Sequence, residues 1–171
     1  MKTTINTDRF FFRNVRPVEA DETIEIENIC FPQNEACLPE SMRQRVQFAA
    51  ECFLVVEDWQ TGKIAGFLNG IATDEMIFRD EFFTDISLHD PAGKNVMLLG
   101  LDVRPEYRGQ GLAHRIMNEY SVRERRRGRH ALYLTCHEIL VPMYETMGFT
   151  DLGLSGSVWG GVRWNDMVME L

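Results

Sequence analysis

The segment from Val96 to Ala113 constrains this chain more than any other. Val96-Met97-Leu98-Leu99-Gly100-Leu101-Asp102-Val103 is a near-continuous apolar run. Such a run suits a strand covered on both faces, inside a sheet with helices packed against it. Arg104-Pro105-Glu106-Tyr107-Arg108-Gly109-Gln110-Gly111-Leu112-Ala113 follows directly. A helix is expected from about Gly111, with Leu112, Ile116, Met117 and Tyr120 on one face. Ala131-Leu132-Tyr133-Leu134-Thr135 reads as the next strand, so residues 96 to 135 form a strand–helix–strand unit. A helix start leaves about four backbone N–H groups unpaired and carries a partial positive charge. Gly109, Gly111 and Ala113 are small, so a bulky anion can come close to those amides. Phosphate or pyrophosphate is the natural occupant. The spacing matches neither Gly-x-Gly-x-x-Gly nor a Walker loop, which needs Gly-Lys-Ser/Thr.

The remaining segments supply a mixed α/β frame. Phe10 to Arg16 reads as a first strand, and Asp21 is expected to cap a helix carrying Ile24 to Ile29 that ends before Pro32. Pro39 sits at the start of a second helix running through Met42, Val46 and Phe48. Phe53 to Glu57 and Ile64 to Leu68 form a hairpin with Gly62 in its turn. Residues 73 to 95 read as a loop with a helical turn near Arg79 to Phe83. Val141 to Met147 is a short helix closed by Gly148, and strands are expected around Phe149 to Leu154 and Val162 to Met169. No repeat or linker interrupts the 171 residues, so one domain over 1–171 is expected.

Composition narrows the partners. The net charge is −8, which makes the chain a poor general binder of nucleic acid or of an anionic membrane. No apolar run approaches the roughly 18 residues that span a bilayer, and Met1 to Thr7 lacks the apolar stretch of a leader. Cys30, Cys37, Cys52 and Cys136 lack metal-ligand spacing. Free thiols in a cytoplasmic protein without a metal are expected. Residues 104 to 130 hold eight arginines and three glutamates, a local sum of +5. That basic island points to a small polyanionic ligand, although Arg123 to Arg129 alone also reads as a solvated helix end.

Arg108-Gly109-Gln110-Gly111-Leu112-Ala113 resembles the Arg/Gln-x-x-Gly-x-Gly/Ala signature of the GNAT acetyltransferases, which bind acetyl-CoA. Cys136-His137-Glu138-Ile139-Leu140-Val141-Pro142-Met143-Tyr144 through Phe149 is similar to a stretch of the serotonin (arylalkylamine) N-acetyltransferase branch, as is Glu25 to Phe31. The resemblance implies a mixed sheet splayed where two parallel strands part, with the cofactor entering the gap. It implies that the backbone of Leu101, Asp102 and Val103 pairs with the pantetheine arm. Arg108, Gly109, Gln110, Gly111, Leu112, Ala113 and His114 would hold the pyrophosphate.

The implied reaction is direct acetyl transfer from a thioester to a primary amine, with a small amine and acetyl-CoA as partners in a monomer or homodimer. A free alkylamine has a pKa of roughly 10, so a base must take a proton before attack. Tyr144 is the expected proton donor to the leaving thiolate. The branch carries two histidines on its central strand, but Met97 and Leu99 stand at those positions. His137 is the nearest replacement as base and Glu138 the second. Cys136 reads better as a small buried residue than as an acyl carrier. By resemblance Phe31 and Trp164 clasp an aryl ring, and Leu38 and Pro39 lie in a floor loop. A peptide or polyamine acceptor, and an acyl-CoA-binding module without catalysis, are the competing readings. An open trough would favour a peptide, and a roofed aromatic pocket a small amine.

Overall fold

Every strand of the computed structural model, which describes residues 9–171, belongs to one seven-stranded sheet. Met1 to Thr7 lie outside the described residues. The strands are β1 (Phe10–Asn14), β2 (Phe53–Asp58), β3 (Lys63–Thr73), β4 (Asn95–Val103), β5 (Ala131–Cys136), β6 (Thr150–Leu154) and β7 (Asn165–Glu170). Their order is β1-β2-β3-β4-β5-β7-β6, and only β4 and β5 pair in parallel. The helices are α1 (Ala20–Cys30), α2 (Pro39–Phe48), α3 (Glu81–Thr84), α4 (Leu112–Arg126) and α5 (Val141–Thr146). The α/β class and the splayed sheet are as the sequence led us to expect. None of the described helices is long and apolar enough to cross a membrane.

The period-two pattern of β2 sorts the layers. Leu54 and Val56 face α4, where Ile116, Met117 and Tyr120 pack with Leu68, Val96, Leu98 and Leu132. Phe53 and Val55 face the other side, with Ile26 of α1 and Met42 and Val46 of α2. Each such side chain contributes roughly 1.5–3 kcal/mol by leaving water. A third cluster holds Met97 and Leu99 against Ile71, Phe78 and Phe82.

Local details depart from the sequence reading at two places. Asp21 does not cap α1: the helix begins one residue earlier, and the Asp21 carboxylate accepts from Arg43 of α2 at 2.6 Å. β3 runs on to Thr73, past the expected end at Leu68, because every residue after Lys63 is buried and Gly66 to Thr73 all pair with β4. The Arg123 to Arg129 run lies at the exposed end of α4, as the solvated-helix-end reading has it, but part of it is tied down. Arg127 and Arg129 hold the buried Glu124, and Arg123 bonds Glu119 and the Phe12 carbonyl.

Candidate active site

The site begins where the parallel strands separate. β4 pairs with β5 only from Asn95–Ala131 to Met97–Tyr133. Beyond that point Leu98 to Val103 and Leu134 to Cys136 diverge. On its other edge β4 carries a register shift: Asn69 opposes Gly100 while Gly70 opposes Leu98, so Leu99 falls in a bulge. The bulge re-aims the β4 backbone at the mouth of the gap.

The turn after β4 is built for an anion. Gly109 and Gly111 have φ of +76° and +77°, a conformation that a residue with a Cβ adopts at a cost. An added Cβ at either would meet nothing within 4 Å, so the requirement is conformational and the space in front is open. The Arg115 amide closes onto Gly111 O at 3.2 Å, which leaves the amides of Leu112, Ala113 and His114 facing outward at the start of α4. Arg108 turns back and donates through Nε to Val103 O at 3.0 Å, and Gln110 donates to Tyr107 O at 3.0 Å. His114 lies within 2.9 Å of Thr146 on α5. The turn is anchored from beneath. Tyr107 donates to the buried Asp58 at 2.7 Å, and Arg9 holds the same carboxylate at 2.7 Å. These bonds hold the Asp58 carboxyl well below the usual carboxylate range.

A cleft of about 640 Å³, counted to its open mouth, lies at the splay. Phe31, Phe83, Trp159 and Trp164 contribute aromatic surface, and Leu98, Gly100, Leu134, Cys136, His137 and Tyr144 line it from the sheet side. Phe83 stacks on Trp159 with ring centres 4.7 Å apart, and His137 stacks on Trp164 at 4.4 Å. Two loops meet across this cleft. Asn34 donates to Gly160 O at 2.9 Å, Trp159 donates to Glu35 O at 2.8 Å, and Trp164 donates to Trp159 O at 2.8 Å. A Cβ on Gly160 would lie 2.7 Å from Asn34 O, so the loops touch backbone to backbone only because that residue is glycine. His137 Nε2 lies 2.9 Å from Glu35 Oε2. A carboxylate can only accept, so Nε2 carries the hydrogen and Nδ1 is left as the basic nitrogen.

Tyr144 is buried on α5 with its ring edge-on to Phe149, at 5.7 Å. Burial, with Cys136 and Asp102 adding, pushes its hydroxyl above the usual tyrosine range. Burial also pushes the Cys136 thiol up to about 11, which makes it a poor nucleophile at neutral pH. Met97 is fully buried and Leu99 nearly so, both in an apolar cluster that can take no proton.

Phe31, Trp164, His137 and Tyr144 thus share one cleft, and Leu101 lines it beside them. Leu38 and Pro39 do not. The Cys37 amide is held by Glu27 Oε1 at 3.0 Å, after which Leu38 turns outward, 54% exposed, and Pro39 opens α2. Glu138 is exposed and does not line the cleft. Glu35, Phe83, Trp159 and the buried Glu27 line it without having been singled out from sequence. Glu27 had a legible signal, because it shares a helix face with Thr23 and Ile26. Away from the cleft, Glu51, Cys52 and His89 converge. Both His89 ring nitrogens are engaged, one by the Ala72 amide at 3.0 Å and one by Glu51 at 2.6 Å. No free imidazole lone pair is left there for a metal.

The acetyltransferase (GNAT) family model matches residues 20–149, from α1 through the splay and the glycine turn to α5. Serotonin N-acetyltransferase of Mesocricetus auratus is 26% identical over 163 residues, covering 94% of this chain and 77% of the relative. Among solved structures, the loading GNATL domain of CurA from Lyngbya majuscula superposes with a TM-score of 0.81 at 15% identity, over 94% of this chain and 97% of that one. The yncA protein of Salmonella typhimurium, solved with its cofactor acetyl-CoA, gives 0.66 at 16% identity, over 95% and 94%. At those identities the solved structures establish the shared fold. The family match establishes more: this chain belongs to the acetyltransferase (GNAT) family and is an acetyltransferase.

Proposed function

We propose that this enzyme, as one domain, moves the acetyl group of acetyl-CoA directly onto the nitrogen of a small primary arylalkylamine. The observation that carries the acceptor class is the pair of loops joined over the cleft by Asn34–Gly160 and Trp159–Glu35. Joined loops lined with Phe31, Phe83, Trp159 and Trp164 suit a compact aryl group and obstruct an extended peptide. Burying such a ring contributes about 25 cal/mol per Å².

In this reading the outward amides between Gly109 and His114 hold the diphosphate, with the α4 dipole behind them. The backbone of Leu101, Asp102 and Val103 runs beside the pantetheine arm. A β4 amide in the splay faces the thioester oxygen, where negative charge grows during attack. His137 takes a proton from the amine through Nδ1, and Glu35 holds the ring in that tautomer. The nitrogen bonds to the carbonyl carbon, the C–S bond breaks, the Tyr144 hydroxyl protonates the departing CoA thiolate, and the second proton lost by the nitrogen as the amide forms replaces the one Tyr144 gave up. Burial keeps that hydroxyl protonated until the thiolate forms beside it.

The test is CoA release with tryptamine, phenethylamine, spermidine and a lysine peptide as acceptors. The arylalkylamines are expected to have the highest kcat/KM. A preference for the peptide or for spermidine would overturn the acceptor class. Acetyl-CoA binding without transfer to any amine would overturn the activity.

A further inference from the structure

Beneath the aromatic cleft two carboxyl groups meet with no cation of the described residues bonded to them. Glu27 of α1 is 3% exposed and Asp102 of β4 is 1% exposed. Glu27 Oε1 accepts from the Cys37 amide, but among the described residues Glu27 Oε2 and both Asp102 oxygens have no hydrogen-bond partner. They converge over Gly100, where an added Cβ would lie 3.2 Å from Asp102 Oδ1 and 3.4 Å from Glu27 Oε2. Glycine there leaves the floor of the cleft open, and Glu27 and Gly100 both line it. The nearby arginines are engaged elsewhere: Arg45 bonds Asn69 and the Phe83 carbonyl, and Arg104 bonds the Ile64 carbonyl, Glu22 and Glu25.

Three buried acceptor oxygens without donors are costly unless something arrives to satisfy them. Burial, together with Glu27, pushes the Asp102 carboxyl well above the usual carboxylate range. Two carboxyl groups this close cannot both carry a full negative charge at low cost without a cation beside them. A hydrogen shared between them would still leave acceptor positions unfilled. A primary ammonium brings one positive charge and three N–H donors, and it is the dominant form of an alkylamine at neutral pH. We propose that Glu27, backed by Asp102, is the subsite that docks the ammonium end of the acceptor, while its aryl group lies among Phe31, Trp159 and Trp164. Recognition then depends on charge and donor number as well as on ring burial. A neutral acceptor of the same shape is disfavoured.

This assignment rests on the small-amine reading, and its test separates the two. Phenethylamine and phenethyl alcohol are titrated calorimetrically into enzyme saturated with CoA, so that no transfer occurs. Wild type is expected to bind the amine at least about tenfold more tightly than the alcohol. Glu27→Gln keeps the side-chain shape, and is expected to weaken the amine about tenfold while leaving the alcohol and acetyl-CoA within about twofold. An unchanged amine-to-alcohol ratio in Glu27→Gln, with amine turnover intact, overturns the subsite and leaves the proposed function standing. Equal binding of amine and alcohol by wild type overturns it without any variant. No binding or turnover of any amine overturns both.

Discussion

The two walls of the cleft are made in different ways. In the proposed function the cofactor side is one continuous stretch, Asn95 to His114, of which Leu98 to Leu101 line the cleft, and it presents backbone: a bulged strand edge, two left-handed glycines and the amides of a helix start. The side proposed for the acceptor is assembled from side chains on separate segments, with Glu27, Phe31 and Glu35 from one end, Phe83 and His137 from the middle, and Trp159 and Trp164 from the other end. A backbone site depends on conformation and tolerates most side chains, so it constrains glycines and little else. A side-chain site depends on identity at every position and is free to change acceptor without disturbing the cofactor.

That contrast can be broken where the two walls meet. Tyr144→Phe is expected to lower kcat about 10²- to 10⁴-fold while acetyl-CoA affinity and thermal stability stay near wild type. Steady-state kinetics with a calorimetric titration of acetyl-CoA checks this, and wild-type turnover would remove Tyr144 from the proton path. Glu35→Gln is expected to lower kcat/KM for the amine by roughly 10- to 100-fold, since the amide can also donate and no longer fixes the His137 tautomer. The KM for acetyl-CoA should not move. A change in the acetyl-CoA KM instead would mean that the two walls are not separable.

Gly111→Ala probes the other wall. The space is open, so only the +77° φ penalises the new Cβ, by about 1–2 kcal/mol. Relief of that strain displaces the amides, and the acetyl-CoA KM is expected to rise about tenfold with little change in the amine KM. The smallest effect concerns the anchor beneath the turn. Asp58 has a folded pKa below its unfolded value, so its stabilisation is present above about pH 4 and is lost as pH falls further. Urea melts of wild type and Asp58→Asn should show the variant less stable at neutral pH, with a shallower loss between about pH 4 and 3.

The difference in construction also explains what was legible in the sequence. Val96 to Ala113 announced itself because an apolar run, a proline and closely spaced glycines are local signals. Phe31, Trp164, His137 and Tyr144, which line one cleft, were singled out through their resemblance to a known branch. Phe83 and Trp159 could not, because their stacking joins residues 76 positions apart in the chain. Glu35 was one of 26 acidic residues, and only the fold separates it from the solvated ones. Leu38 turns away from the cleft after its neighbour Cys37 is held by Glu27, a bond between side chain and backbone that leaves no mark in composition. The capping role expected of Asp21 was lost to Arg43, a partner on another helix.

The central claim is that both walls are occupied together and that the acetyl group crosses directly between them. Initial rates over a matrix of acetyl-CoA and tryptamine concentrations test it most directly. Double-reciprocal lines that intersect are the expected result, since transfer then requires both substrates on the enzyme at once. Parallel lines, with acetyl-CoA alone labelling Cys136, would mean that the acyl group rests on the protein between substrates, and would contradict the account.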